Sequence, residues 1–117
     1  MPLENPGSGG SWITPTLGSI WQAYGTPFDT PGYRRNSQSV VYLRGWIKWI
    51  GGANVAIFTL PPSYRPTALK RYLVSSANAS NVLNISVIEI QSDGAVWWRL
   101  YGPYEYLSFD SISFATY

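Results

Sequence analysis

An all-β fold, an antiparallel β-sandwich of jelly-roll-like kind, is what this sequence predicts, and three observations predict it. Residues 40–66, VVYLRGWIKWIGGANVAIFTLPPSYRP, alternate Val41, Leu43 and Ile47 with Tyr42, Arg44 and Trp46, the period-two pattern of a pleated strand. Turn signals recur at short intervals, at Gly51-Gly52, Leu60-Pro61-Pro62, Ser92-Asp93-Gly94 and Gly102-Pro103, as short strands of a sandwich require. No segment carries a convincing helical period.

Residues 1–11 are a Pro/Gly/Ser-rich lead with little to bury, which reads as a flexible linker before a single domain spanning 12–117. Residues 12–36 are interrupted by Pro15, Pro27 and Pro31 and read as an extended segment that wraps the sheets and pins itself with aromatics. Ile20, Trp21 and Tyr24 also allow a single helical turn there. Residues 40–66 read as a hairpin of two long strands joined at Gly51-Gly52. Its end is the Leu60-Pro61-Pro62 corner, where proline supplies no N–H to a ladder.

Residues 70–75 form the next expected strand, 76–81 a loop, and 82–90 a long strand. In that strand Leu83, Ile85 and Val87 share one side and Ile88 and Ile90 the other, so either a bulge near Val87-Ile88 or burial of both sides is expected. Asp93-Gly94 favours a two-residue hairpin leading into a strand over 95–101. The last strand, 106–117, shifts its alternation around Asp110-Ser111, where a second bulge is expected.

The 117 residues suffice for one domain that buries roughly two-thirds of its unfolded surface. With no cysteine and no histidine, disulfides, thiolate chemistry, the usual general base and the usual metal ligands are missing. No cofactor, no metal and no enzymatic activity are expected. Glycan hydrolysis needs two carboxylates about 5 to 10 Å apart; Glu105 and Asp110 are the pair close in sequence on a candidate loop, and turn chemistry accounts for Asp110 equally well. A net charge of +2 and paired cations only at Arg34-Arg35 and Lys70-Arg71 do not describe a nucleic-acid surface, and these pairs read as solvated strand ends. No apolar run approaches the roughly 18 residues of a span and no leader is visible, so a soluble protein without membrane insertion is expected.

Aromatics make up 16% of the chain, with six Trp and nine Tyr. That is more ring area than a lone domain of this size is expected to hide, which favours recognition or assembly. Residues 97–106, WWRLYGPYEY, are the best ligand segment, because one of Trp97 and Trp98 must face outward and the rings of Trp97, Trp98, Tyr101 and Tyr104 with the tips of Arg99 and Glu105 suit a sugar. The competing reading puts both tryptophans in the core and in a seam between subunits. Tyr42, Arg44, Trp46 and Trp49 form a second constellation, read first as a subunit interface and second as a ligand surface. Tyr64-Arg65-Pro66 reads as a corner clamp.

Several segments occur in a familiar order: Val40 through Gly45, Ile57-Phe58-Thr59-Leu60-Pro61, Ser63-Tyr64-Arg65-Pro66, Ile90-Gln91-Ser92-Asp93-Gly94 and Leu107 through Phe114. In order and spacing they resemble the C-terminal domain of bacteriophage tail-fibre and tail-tip receptor-binding proteins, over roughly residues 12–117. The Phe-Thr-Leu-Pro run followed by Tyr-Arg-Pro is its most specific piece. Pro62 and the heavier aromatic load at Trp46, Trp49, Trp97 and Trp98 depart from the common pattern. The resemblance implies a homotrimer at the distal end of a virion fibre, touching a bacterial surface glycan or protein, or else a domain that only registers and caps the trimer. A free carbohydrate-binding module would instead be a monomer.

Overall fold

The computed structural model describes residues 11–52, 55–99 and 105–117. Ten short strands run β1 Trp21–Ala23, β2 Gly32–Arg35, β3 Val40–Arg44, β4 Trp46–Trp49, β5 Phe58–Thr59, β6 Lys70–Ala77, β7 Leu83–Ile90, β8 Ala95–Trp98, β9 Tyr106–Ser108 and β10 Ser113–Ala115, with one 3-10 turn at Pro62–Tyr64. They form a seven-stranded sheet in the order β1-β4-β9-β6-β7-β8-β5 and a three-stranded sheet in the order β10-β3-β2. All pairings between these strands are antiparallel, and the expected all-β antiparallel architecture is the one observed. Among the described residues no helix is long and apolar enough to cross a membrane.

The core lies between the sheets. Tyr33, Val41, Leu43 and Phe114 of the small sheet meet Ile47, Val74, Ile88, Ile90, Val96, Trp98 and Leu107 of the large one, all buried. Phe58 ties the layers together, stacked on Tyr33 at 6.0 Å and edge-on to Phe109 at 5.8 Å.

The long hairpin expected over 40–66 does not form. At Gly45, with φ +96°, the chain leaves the small sheet and enters the large one, so β3 pairs with β2 and β10 while β4 pairs with β1 and β9. β5 then pairs with β8, not with β4. The alternation carried through the corner undisturbed, which hid the switch: Val41, Leu43 and Ile47 are all buried, though they belong to two sheets. The C-terminal segment bends at the same place, because Phe109 N donates to the Gly45 carbonyl (2.8 Å) and Gly45 N donates to Asp110 Oδ1 (2.7 Å). Between the pairs Tyr42–Ser113 and Trp46–Ser108 one strand advances four residues and its partner five. The extra residue is the bulge expected at Asp110-Ser111, and it turns one expected strand into two, in different sheets.

Three further expectations change. The segment 12–36 is not a wrap with a helical turn but contributes β1 and β2. The strand 82–90 has no bulge, since β6 and β7 keep one register from Lys70–Ile90 to Ala77–Leu83; Leu83, Ile85 and Val87 simply share the outward side. Ser92-Asp93-Gly94 is a three-residue loop, closed by Gln91 N to the Ala95 carbonyl and Gly94 N to the Gln91 carbonyl.

That loop design is used three times. At Asn36 to Val40 and Asn78 to Val82 the same pair of backbone bonds closes the hairpin, with Ser39 (φ 65°) and Asn81 (φ 60°) in the position that Gly94 (φ 90°) fills. In both, the asparagine at the loop entrance accepts two backbone N–H groups at Oδ1, which compensates for a non-glycine residue in left-handed geometry. Arg65 is a corner clamp, donating from Nε to the Leu60 carbonyl at 2.8 Å.

Candidate functional site

On the outer face of the small sheet, the register opposes Gly32 to Arg44 and Arg34 to Tyr42, so one side carries two guanidinium groups and a phenol. Two backbone bonds between Ile13 and Tyr33 (2.8 and 3.0 Å) fasten the N-terminal segment beside β2. Trp12 consequently lies over Gly32, where an added Cβ would stand 3.5 Å from its ring and 3.7 Å from Arg44 Nε. A glycine there leaves space for a large ring to lie close to the sheet.

Both arginines face that ring. Arg44 Cζ lies 4.3 Å from the Trp12 centroid; Arg34 Cζ lies 5.7 Å from Trp12 and 6.0 Å from Tyr42. Arg34 is only 7% exposed, and the Arg44 Nε atom is buried without a hydrogen-bond partner. Trp12, Asp29, Arg34, Tyr42, Leu43, Arg44 and Asp110 line an open cleft of about 520 Å³. Asp110 is held in place by its bond from Gly45 N, so the sheet-switching corner positions one carboxylate of the cleft. Guanidinium donors, carboxylate acceptors, a phenol and aromatic surface in one concavity match a sugar ring, whose hydroxyls donate and accept and whose C–H side is apolar.

The expected ligand segment is divided by the sheet. Trp98 points inward, 3% exposed, edge-on to Trp21 at 5.6 Å, and its Nε1 donates to Ser86 Oγ at 2.7 Å; it is core and offers no surface to a ligand. Trp97 points outward, half-buried, with Arg99 Cζ 4.7 Å above its ring. Arg99 in turn holds Glu89 (3.0 Å), with Arg71 (2.9 Å) and Gln91 Nε2 (3.0 Å) on the same carboxylate. Burial pushes the Glu89 pKa up, but the bonds from Gln91, Arg99 and Arg71 and the charge of Arg99 outweigh it and bring it down to about 2. Glu105 is half-buried and its carbonyl accepts Trp49 N. Tyr101 and Tyr104 lie outside the described residues.

The second constellation is divided too. Tyr42 and Arg44 line the cleft, whereas Trp46 lies in the large sheet, 8% exposed, stacked beneath Phe28 at 4.7 Å and flanked by Tyr24. Its outward side is closed by the chain's own loop 24–28, so Trp46 presents no interface. Trp49 packs against the core, 5.9 Å from Trp98. Trp12, Asp29 and Arg34 were not foreseen as site residues, and Asp110 was weighed only with Glu105 as a hydrolytic pair; Arg34 in particular is buried, not a solvated strand end. The signal for Arg34 was present, because pairing 32–35 with 40–44 through the Asn36 loop puts it opposite Tyr42. Nothing local to Trp12 indicated that it crosses β2.

Among the described residues no group of His, Cys, Asp and Glu is placed to hold a metal ion. Comparison with family models, with curated proteins and with solved structures found no match to this chain.

Proposed function

We propose that this domain is an adhesion tip of a bacteriophage tail fibre, which binds a bacterial surface glycan as a homotrimer and breaks no bonds in it. The observation that carries this reading is the open cleft lined by Trp12, Arg34, Tyr42, Arg44, Asp29 and Asp110. Its groups serve both senses of a hydrogen bond beside apolar ring surface. The order of sequence segments that resembles tail-tip domains supports the placement on a virion. Three weak sites on one rigid tip raise effective affinity without any of them being strong.

The test is a glycan array with the intact chain, followed by titration of a hit into Arg44→Ala and Tyr42→Ala. Each variant is expected to weaken binding at least about tenfold, the consequence of removing a charged hydrogen bond or an aromatic contact. Absence of binding to every host surface fraction, or variants that bind like the wild type, defeats the reading.

A second reading, a domain that only registers and caps a trimer, is favoured by a different observation. The middle of the large sheet exposes Leu73, Leu83 and Ile85 to solvent. Under that reading, removing the domain abolishes assembly of its parent fibre and leaves no separable adsorption step.

A further inference from the structure

One open side of the sandwich carries a second concavity. β2 and β5 are edge strands of the two sheets, and Tyr33 of one stacks on Phe58 of the other at 6.0 Å, which brings these two edges to the same side of the molecule. Residues 13–18 cross the gap between them. At one end Ile13 exchanges two backbone bonds with Tyr33, and at the other Gly18 N donates to the Ile57 carbonyl at 2.7 Å. Gly18 permits that close landing, since a Cβ there would stand 2.7 Å from the Ala56 carbonyl oxygen.

Beside the crossing lies an open pocket of about 500 Å³, within the ordinary size of a small-molecule site. Thr14, Thr16 and Thr59 line it with hydroxyls, Pro15, Leu17 and Ala56 with apolar surface, and the Tyr33–Phe58 stack completes the wall. Among the described residues, none that lines it is an acid or a base. The three threonine hydroxyls, and the backbone N–H groups of Thr14, Thr16 and Leu17, are bonded to no other described residue. A hydroxyl both donates and accepts, so this lining suits a ring that carries hydroxyls of its own on an apolar frame. A charged ligand would leave water and meet no counter-charge. The cleft differs in kind, being lined by Arg34, Arg44, Asp29 and Asp110. Its Trp12 stands two residues from Thr14, about 7 Å along an extended segment, so units of one glycan chain can reach both places.

We infer that the pocket between β2 and β5 is a second saccharide subsite, which takes a neutral hexose unit while the charged cleft holds another unit of the same glycan. The inference rests on the glycan reading for the class of ligand, and its test reads the two sites separately. Backbone amides of the intact chain are followed by nuclear magnetic resonance during titration with the methyl α-pyranosides of glucose, galactose and mannose. A sugar concentration of about 50 mM fills a site with a Kd of about 5 mM to roughly nine-tenths. At least one of the three sugars is expected to shift the amides of Thr14, Thr16 and Thr59, and methyl glucuronide to bind there at least about tenfold more weakly.

The double variant Thr16→Val with Thr59→Val, both at exposed positions, should weaken the neutral sugar at least about fivefold by removing two hydroxyl contacts. Ala56→Leu, which fills the pocket, should abolish the shifts while the rest of the amide spectrum stays as in the wild type. Silence at Thr14, Thr16 and Thr59 with all three neutral sugars overturns the inference. Shifts that survive both variants, or a glucuronide that binds there as well as the neutral sugars, overturn it too. Failure of the subsite and failure of the recognition reading are told apart by residue. Shifts at Tyr42 and Arg44 alone sink the subsite and leave the cleft standing, whereas silence at both places with all four sugars, together with an empty glycan array, sinks both.

Discussion

Gly45→Ala tests the corner on which both the sheet switch and the cleft depend. The residue has φ +96°, which costs a side-chain-bearing residue about 1 to 2 kcal/mol. A Cβ there would also stand 2.7 Å from the Asp29 carbonyl oxygen and from Pro31 N and Cα, all backbone atoms that no rotamer change can move aside. Displacing that segment adds about 1 to 3 kcal/mol, the usual cost of overpacking. The sum, about 2 to 5 kcal/mol, is a large part of the stability expected of any small domain. Urea denaturation followed by tryptophan fluorescence measures it as a fall in the midpoint at constant slope. Gly51→Ala is the matched control, because Gly51 has φ +107° but nothing within 4 Å of an added Cβ; it should lose only the conformational part. Equal losses for the two variants would refute the steric argument, and a loss under about 1 kcal/mol at Gly45 would refute the backbone argument too.

Glu89 predicts an acid limb. Its pKa is lowered to about 2 in the folded protein from an ordinary 4.5, so its contribution is fully present above about pH 4.5 and is lost as pH falls through about 2. Discounted for the solvent around Arg71, whose side chain is 68% exposed, that contribution is about 1 to 2 kcal/mol. Glu89→Gln should flatten stability over that window, and an unchanged acid limb by urea titration at successive pH values would contradict the assignment. Asn36→Ala should cost about 1 to 3 kcal/mol, because it strips the acceptor from Gln38 N and Val40 N at a loop whose entrance is buried. Asn81→Gly, at the left-handed position of the analogous exposed loop, should instead be neutral or stabilising by a few tenths of a kcal/mol in the same assay.

Fold class was legible in the sequence because alternation and turn chemistry are local, and so were β6, β7, β8 and the bulge at Asp110-Ser111. The division into two sheets was not. A strand that changes sheets at a glycine keeps its inside and outside through the corner, so Val41, Leu43 and Ile47 read as one strand although Gly45 separates them into two. β1 and β2 were missed because each is short and sits among prolines, and what holds them is pairing with β4 and β3, a long-range term with no local signature. The candidate cleft was half visible: Tyr42 and Arg44 were identified from alternation, while Trp12 and Asp110 reach it only through the Ile13–Tyr33 bridge and the C-terminal bend.

Among the described residues the tryptophans are not the uncovered excess, although Tyr42 is exposed and Tyr117 is 79% exposed. Trp21, Trp46 and Trp98 are buried, and Trp12, Trp49 and Trp97 are half-buried, each against an arginine or the core. A flat ring that points outward is readily covered by its own chain, since a guanidinium stacks on it or a loop lays another ring across it. A branched aliphatic side chain offers no such partner and is covered only by more apolar surface, and Leu73, Leu83 and Ile85 are left open to solvent. The cleft and the bare aliphatic patch thereby fall on different sheets, the cleft on the small one and the patch on the large one.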